Sequence, residues 1–237
     1  MAEADVVQAF AASDRRPLRV AVLGSGRGSN FAALLAARQA GRLAIDLVGV
    51  FSDRPAALIL RRAGEAGIPA LAVPPRQYAS RAVHEDALFA AVDDVQPDLI
   101  VCAGYMRIIG ARALEGRSPR MINIHPSLLP RHRGLDTHQA ALDAGDAEHG
   151  ASVHFVTAEL DGGPLIAQAR VPVLPGDDAE RLSARVLARE HPLLCACVDL
   201  FAQRRVVLSG AAVLIDGQRI ERPWQLADDD RLIERAA

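Results

Sequence analysis

Residues 18–30 read LRVAVLGSGRGSN, an apolar run followed by a turn that is rich in glycine. The run Leu18–Leu23 contains β-branched residues and is typical of a buried strand. The turn leads into residues 30–40, where apolar side chains recur at helical spacing. A strand, a tight turn and a helix in this order predict the start of an α/β fold.

The same alternation continues through the first half of the chain. Further strands are predicted at 45–51, 70–73, 98–103 and 121–124, and helices at 55–66 and 80–95. Strands that alternate with helices favour a parallel sheet with right-handed crossover connections.

The second half of the chain has a different pattern. Residues 152–157 and 165–173 alternate apolar and polar side chains, and residues 178–205 predict one long helix. The dipeptide Asp216-Gly217 between two short apolar stretches predicts a hairpin. We therefore expect a single Rossmann-like α/β domain with a mostly parallel central sheet flanked by helices. Its C-terminal part adds antiparallel strands and the long helix.

The sequence shows no linker, repeat or low-complexity segment that would divide this domain. Residues 1–17 are expected to be a flexible N-terminal extension, residues 18–220 the folded domain, and residues 221–237 a charged C-terminal tail.

The composition excludes several classes of partner. The 237 residues are 50% hydrophobic and 24% charged with a formal net charge of −2, so no general basic field favours nucleic acid. No apolar run reaches the ~18–20 residues that cross a bilayer, and the N-terminus lacks a signal-peptide pattern. The three cysteines are too few for a disulfide framework and predict reduced thiols. We expect a cytoplasmic protein, monomeric or homodimeric, that binds small molecules and neither nucleic acid nor membranes.

The chain has no lysine, so all 27 basic residues are arginine. A Walker A loop and a Schiff base both need a lysine, and these two classes of site are thereby excluded. The histidines show neither an HExxH motif nor another regular metal-ligand spacing, so we expect no metal site. Ser127 does not lie in a G-x-S-x-G elbow, which argues against an α/β-hydrolase.

The turn Gly24–Asn30 has the character of a phosphate-binding site. Glycine lets the backbone approach a ligand closely, and the free N–H groups at a helix start attract an anion. A dinucleotide fingerprint would need glycine in place of Ser29 or Phe31, so NAD and FAD are disfavoured and a smaller phosphorylated ligand fits better. The alternative is a plain tight turn in which Ser29 or Asn30 caps the helix.

Two polar residues lie at the end of the fifth predicted strand. Alternation places Asn123 and His125 on the same face, at the carboxyl edge where ligand sites of open α/β sheets lie. An amide N–H₂ and an imidazole at this edge are suited to stabilising an oxyanion. The alternative is a partly buried pair whose hydrogen bonds are satisfied internally.

A single carboxylate, Asp161, lies in the glycine-rich loop 160–164. A carboxylate beside an imidazole favours the protonated ring and fixes its orientation, so Asp161 is a candidate partner of His125. The alternative is an aspartate that only forms the turn before two glycines.

Taken together, the chain resembles the phosphoribosylglycinamide formyltransferases, within the folate-dependent formyltransferase family. The resemblance covers about residues 18–215 and rests on six segments in collinear order: SGRGSN (25–30), AGYMRI (103–108), NIHPSLLP (123–130), DTHQAAL (136–142), HGASVHFVTAELDGGP (149–164) and REHPLL (189–194). NIHPSLLP is shared by all enzymes that handle 10-formyltetrahydrofolate through this domain, whereas SGRGSN, AGYMRI and REHPLL narrow the choice.

The resemblance implies that 10-formyltetrahydrofolate donates a formyl group to the amine of glycinamide ribonucleotide, without a metal. It implies catalytic roles for Asn123, His125 and Asp161: the first two flank the formyl oxygen, and Asp161 helps to move the proton of the attacking amine. The implied nucleotide contacts are Gly28, Ser29, Asn30 and Glu190. The implied folate contacts are Arg81, Met106, Arg107, Ile108, Ile109, Asn123, Thr157 and Asp161.

One departure from the family is Asp136, which stands where histidine is frequent, in a loop expected to cover the site. The nearest rival function is a 10-formyltetrahydrofolate hydrolase with water as acceptor, but that family carries an N-terminal regulatory domain for which ~17 residues give no room. The tRNA formyltransferases are another alternative, but they carry an added C-terminal barrel for which we expect no room in this chain. A non-catalytic module that binds a phosphorylated ligand would explain the glycine turn but would leave Asn123, His125 and Asp161 without a role.

Overall fold

The computed structural model describes residues 16–234. In this range the strands are β1 (Leu18–Leu23), β2 (Ile45–Ser52), β3 (Ala70–Ala72), β4 (Leu99–Ala103), β5 (Met121–His125), β6 (Glu148–Phe155), β7 (Leu165–Pro172), β8 (Val206–Ser209), β9 (Ala212–Ile215), β10 (Gln218–Arg219), β11 (Trp224–Leu226) and β12 (Leu232–Ile233). The helices are α1 (Ser29–Gln39), α2 (Leu58–Glu65), α3 (Arg81–Asp94), α4 (Ala111–Leu114), α5 (Thr137–Asp143) and α6 (Ala179–Ala202).

The central sheet contains nine strands in the order β12-β11-β7-β6-β5-β4-β1-β2-β3. Strands β1 to β5 pair in parallel. Strands β6 and β7 continue the sheet with antiparallel pairing, and β11 lies parallel to β7. Strands β8, β9 and β10 form a separate antiparallel sheet. The predicted fold class, including the antiparallel C-terminal part and the long helix, is confirmed.

The first strand is buried on both faces, as its unbroken apolar run predicts. Val20 and Val22 belong to one apolar layer, which contains Phe31 of α1 and the inner face of α6. Leu23 belongs to the opposite layer, which contains Leu88 of α3. Helices therefore cover both faces of the sheet and leave the carboxyl ends of its parallel strands at one edge.

The helices that flank the site begin in different ways. Ser80 caps α3 by accepting a hydrogen bond from Val83 N, and Asp178 caps α6 by accepting one from Arg181 N. Helix α1 instead follows Gly28, which has left-handed dihedral angles, and no side chain caps it. Because no side chain occupies them, the first N–H groups of α1 are available to a ligand.

The structure also contains elements that the sequence patterns did not predict. Strand β8 follows the long helix, which ends at Ala202 rather than at residue 205. Within the predicted charged tail 221–237, β11 and β12 extend the central sheet. Of the predicted N-terminal extension 1–17, residues 1–15 lie outside the described residues. No helix within residues 16–234 is long and apolar enough to cross a membrane.

Candidate active site

The predicted catalytic residues meet at the carboxyl edge of the sheet. Asp161 Oδ2 lies 3.5 Å from His125 Nδ1, and Asp161 Oδ1 lies 3.5 Å from Asn123 Nδ2. The side chains of His125 and Asp161 are 7% and 10% exposed. The alternation of β5 and the loop after β6 thus bring together three groups that are far apart in the sequence, in a largely desolvated place where their charges act strongly.

Both ring nitrogens of His125 face acceptors. Nε2 lies 3.0 Å from the carbonyl oxygen of His132, so this nitrogen carries a proton, and Nδ1 faces the Asp161 carboxylate. These two acceptors fix the orientation of the imidazole ring within the site.

The Asp161 turn is tightly constrained. Asp161 has a φ of 46°, and its Oδ2 accepts a hydrogen bond of 2.9 Å from Gly134 N in the loop after β5. A Cβ atom at Gly163 would lie 1.8 Å from the carbonyl oxygen of Phe155, so only glycine fits there. Asp161 thereby links the loop 126–136 to the catalytic residues, which a turn-forming role alone would not require.

Another histidine, His154, belongs to the same cluster. Its Nδ1 donates to the carbonyl oxygen of Phe155 at 2.8 Å, which leaves Nε2 as an acceptor 3.2 Å from Asn123 Nδ2. Burial lowers the pKa of His154, so the ring is neutral and fixes the orientation of the Asn123 amide. The sequence patterns did not single out this histidine. The antiparallel register that pairs Asn123 with His154 would have identified it.

The predicted nucleotide residues form a second group beside the catalytic one. Gly28 has a φ of 70°, and a Cβ atom there would lie 2.6 Å from Ile59 Cγ1. Asn30 Nδ2 donates to Glu190 Oε2 at 3.0 Å, while Asn30 Oδ1 is buried without a partner. The alternative interpretation was a plain tight turn with Ser29 or Asn30 as the cap, and its capping part is wrong because neither side chain caps α1. An unpartnered buried acceptor beside free helix N–H groups points to a polar ligand.

Glu190 connects the two groups electrostatically. Burial raises its pKa, while the hydrogen bond from Asn30 and the proximity of His125 act in the opposite direction. Asn30, Glu190 and His125 therefore lie within electrostatic reach of one another.

A cleft whose lining includes Asp161 and Asn123 opens beside this cluster. Its lining includes six of the eight predicted folate residues, namely Arg107, Ile108, Ile109, Asn123, Thr157 and Asp161. A mostly preformed cleft with a few convergent polar groups is typical of small-molecule sites.

The two other predicted folate residues lie outside this lining. Met106 is exposed, and its backbone N–H donates to Ser25 Oγ at 2.9 Å. Arg81 donates from Nε to Glu85 Oε1 at 2.6 Å and from Nη2 to the Ile108 carbonyl at 2.8 Å, so its guanidinium is already engaged.

The loop between β5 and β6 carries the residue that departs from the family pattern. Asp136 is exposed, has a φ of 55° and precedes α5 without capping it through its side chain. Thr137 Oγ1 instead ties the start of α5 to the carbonyl oxygen of Pro126 at 2.7 Å. In the described part of the chain, no group of three or more His, Cys, Asp or Glu side chains is arranged to hold a metal ion.

A Rossmann-like sheet that brings an amide, an imidazole and a carboxylate together at its carboxyl edge, beside a cleft and an uncapped helix start, is typical of an enzyme that acts on small molecules. The family model described as "Formyl transferase" matches residues 18–198. The chain belongs to the formyl transferase family, and the predicted resemblance to its phosphoribosylglycinamide formyltransferases is confirmed.

Several relatives support this assignment. The chain is 41% identical to phosphoribosylglycinamide formyltransferase of Escherichia coli over 90% of its own length and 100% of the relative. The solved structure of the enzyme with this name from Coxiella burnetii is 45% identical with a TM-score of 0.84, covering 86% of this chain and 96% of that one. A formyltetrahydrofolate deformylase from Burkholderia mallei is more distant, at 31% identity and a TM-score of 0.76, covering 84% of this chain and 70% of that one.

Proposed function

We propose that this enzyme transfers the formyl group of 10-formyltetrahydrofolate to the amine of glycinamide ribonucleotide, giving formylglycinamide ribonucleotide and tetrahydrofolate in de novo purine synthesis. The observation that carries the proposal is the position of the Asn123–His125–Asp161 cluster. Two of its members, Asn123 and Asp161, line the cleft suited to a folate. The third, His125, acts electrostatically on Glu190, which is the partner of Asn30 at the helix start suited to a phosphate. The relatives from Escherichia coli and Coxiella burnetii carry the corresponding name.

The first chemical step is attack of the substrate amine on the formyl carbon. A C–N bond forms, and negative charge develops on the formyl oxygen. Asn123 Nδ2 and an N–H group of the His125 ring are the donors that meet this charge. The 3.5 Å contacts of both groups with Asp161 are long, so an incoming oxygen competes readily for their protons. One well-aimed donor contributes about 2.7–4 kcal/mol to such a transition state.

The second step breaks the bond between the formyl carbon and N10 of the folate. The attacking amine loses a proton and N10 gains one. Asp161 helps to move this proton, through water. Its carboxylate is the base beside both donors, and its position is fixed by Gly134 N. The overall transfer balances without a metal or a covalent enzyme intermediate.

In this scheme the nucleotide residues supply binding and position. Gly28, Ser29 and Asn30 hold the phosphate at the start of α1, and Glu190 contacts the glycinamide part. The cleft residues Arg107 and Ile108 face the folate, together with the predicted contacts Ile109 and Thr157. The two other predicted folate contacts, Met106 and Arg81, lie next to the lining of the cleft rather than in it. Arg81 contacts the cleft through its hydrogen bond to the Ile108 carbonyl oxygen.

We further infer a cytoplasmic enzyme that works as a monomer or a homodimer on small molecules, with no nucleic acid partner and no metal. Cys102, Cys195 and Cys197 are free thiols, which suits a reducing compartment. Light scattering of the purified chain distinguishes monomer from dimer, and activity that survives a strong chelator supports the metal-free scheme.

The alternative function to be tested is hydrolysis of 10-formyltetrahydrofolate, in which water accepts the formyl group. Release of tetrahydrofolate should be followed spectroscopically with and without glycinamide ribonucleotide. We expect release only when the nucleotide is present. Equal rates without the nucleotide would assign the enzyme to the hydrolase class.

A further inference from the structure

One serine joins the turn before α1 to the segment at which the cleft lining begins. Ser25 N donates to the carbonyl oxygen of Gly104 at 2.9 Å, and Ser25 Oγ accepts from Met106 N at 2.9 Å. Ser25 is 2% exposed, so its hydroxyl is sheltered from water. Two hydrogen bonds of opposite direction therefore fix the position of the phosphate turn (residues 24–30) relative to the cleft segment (residues 104–109).

The two backbones also approach closely at the residue before Ser25. A Cβ atom at Gly24 would lie 3.0 Å from the carbonyl oxygen of Ala103, where β4 ends. A contact this short is tighter than nearly all Cβ contacts, so even alanine would push the turn and the strand end apart by a few tenths of an ångström. Glycine at position 24 is what lets Ser25 reach both Gly104 and Met106.

Each of the two segments is also held by contacts that do not involve Ser25. On the far side of the phosphate turn, Ile59 N donates to the carbonyl oxygen of Gly26 at 3.1 Å. Just beyond the cleft segment, Gly110 N donates to both carboxylate oxygens of Glu85, at 3.2 Å each. Loss of the Ser25 hydroxyl should therefore leave each segment formed and change only the position of one relative to the other.

We propose that Ser25 is a positioning residue that sets the distance between the two bound substrates, so that the amine of the nucleotide meets the formyl carbon of the donor. This inference rests on the proposed function, because it takes the phosphate turn as the nucleotide site and the cleft as the folate site. A misplacement of about 1 Å between reacting groups can cost about 100-fold in rate. Ser25 touches neither substrate in this role and acts through the backbone of the cleft segment.

The test compares three ligands that bind without reacting. The first is glycinamide ribonucleotide, and the second is a folate analogue that carries no formyl group. The third is a conjugate in which a short linker joins the nucleotide amine to N10 of the same analogue. Dissociation constants are measured by calorimetry on the intact chain. The separate ligands report whether each site is formed, and the conjugate, whose two halves must bind at once, reports the relative position of the sites.

We expect Ser25→Ala to weaken the conjugate about tenfold, equivalent to about 1.4 kcal/mol, which is the scale of one lost hydrogen bond. Both separate ligands should stay within twofold of wild type. In the transfer assay kcat should also fall about tenfold, with both KM values kept within twofold. A general loss of stability lowers the fraction of active protein, which calorimetry reports as stoichiometry, and leaves the ratio of the three dissociation constants unchanged.

Gly24→Ala provides an independent variant, and decides the question if Ser25→Ala does not fold. Its Cβ atom would separate the phosphate turn from the end of β4 while the Ser25 hydroxyl remains. We expect the same pattern, with a weaker conjugate and unchanged separate ligands.

Ser118→Ala is the matched control. Ser118 Oγ donates to the carbonyl oxygen of Leu114 at 3.4 Å, just before β5 begins and thus at the edge of the sheet opposite the site, so all three dissociation constants should be unchanged. The inference is overturned if Ser25→Ala binds the conjugate within twofold of wild type, or weakens a separate ligand as much as the conjugate. A wild-type chain that binds the conjugate no more tightly than its separate parts would instead refute the two adjacent sites of the proposed function, and this inference with them.

Discussion

Replacing Asp161 by asparagine tests the proton-handling role of the catalytic cluster. The substitution keeps the shape of the side chain and an oxygen that can accept from Gly134 N, but it removes the charge. The carboxylate lies 3.5 Å from His125 Nδ1. At an effective dielectric constant of about 20 this separation corresponds to an attraction of roughly 5 kcal/mol for a charged ring, which is an upper bound because water and relaxation reduce it.

Only the part of this attraction that acts in the transition state affects the rate. A positioned acid or base contributes roughly 10²–10⁴ in rate, and Asp161→Asn removes the carboxylate that takes up and passes on the proton of the attacking amine. We therefore expect kcat of Asp161→Asn to fall at least ~100-fold, which is about 2.7 kcal/mol, while both substrates still bind.

The assay is steady-state release of tetrahydrofolate, combined with dissociation constants for the nucleotide and for a non-reactive folate analogue. His125→Ala and the double variant complete a cycle that should be far from additive, because the two groups act as a unit. Asp143→Asn, an exposed carboxylate on α5 whose partner is Gln139, is the control and should retain wild-type kcat. A kcat of Asp161→Asn within a few-fold of wild type would refute the reasoning and leave Asp161 as a turn-forming residue.

Three other variants probe separate parts of the site. Gly28→Val should raise the KM for the nucleotide strongly and leave folate-analogue affinity unchanged, since even a Cβ atom would lie 2.6 Å from Ile59 Cγ1; equal loss of both ligands would contradict a specific phosphate role. His154→Phe removes the acceptor that orients the Asn123 amide, so kcat should fall about three- to tenfold with ligand affinities retained, and an unchanged kcat would count against the role. Burial lowers the pKa of His149 to about 4, so the folded protein holds the ring neutral and should lose stability as the pH falls from 6.5 towards 4. In thermal unfolding, His149→Phe should reduce this loss of stability, and an unchanged dependence of stability on pH would disprove the role of His149.

The parallel half of the fold was predictable because its evidence is local. Each strand from Leu18–Leu23 to Met121–His125 is a short apolar run, and a helical pattern or a turn residue marks its end. Strands β11 and β12 were not predictable in the same way, since runs of three and two residues are too short to show periodicity.

The candidate site was only partly predictable for a related reason. Asn123, His125 and Asp161 were found because polar residues at strand ends and in glycine loops are conspicuous in a sequence. His154 was missed because its contact with Asn123 depends on long-range pairing, namely the antiparallel register of β5 and β6.

The destination of the formyl carbon tests the central claim most directly. The enzyme should be incubated with ¹³C-formyl-labelled 10-formyltetrahydrofolate and glycinamide ribonucleotide, and the label followed by NMR. We predict that the label appears as the formamide of the nucleotide in equal amount to the tetrahydrofolate released, and that no label moves when the nucleotide is omitted. Label that appears as free formate at the same rate with and without the nucleotide would contradict the account.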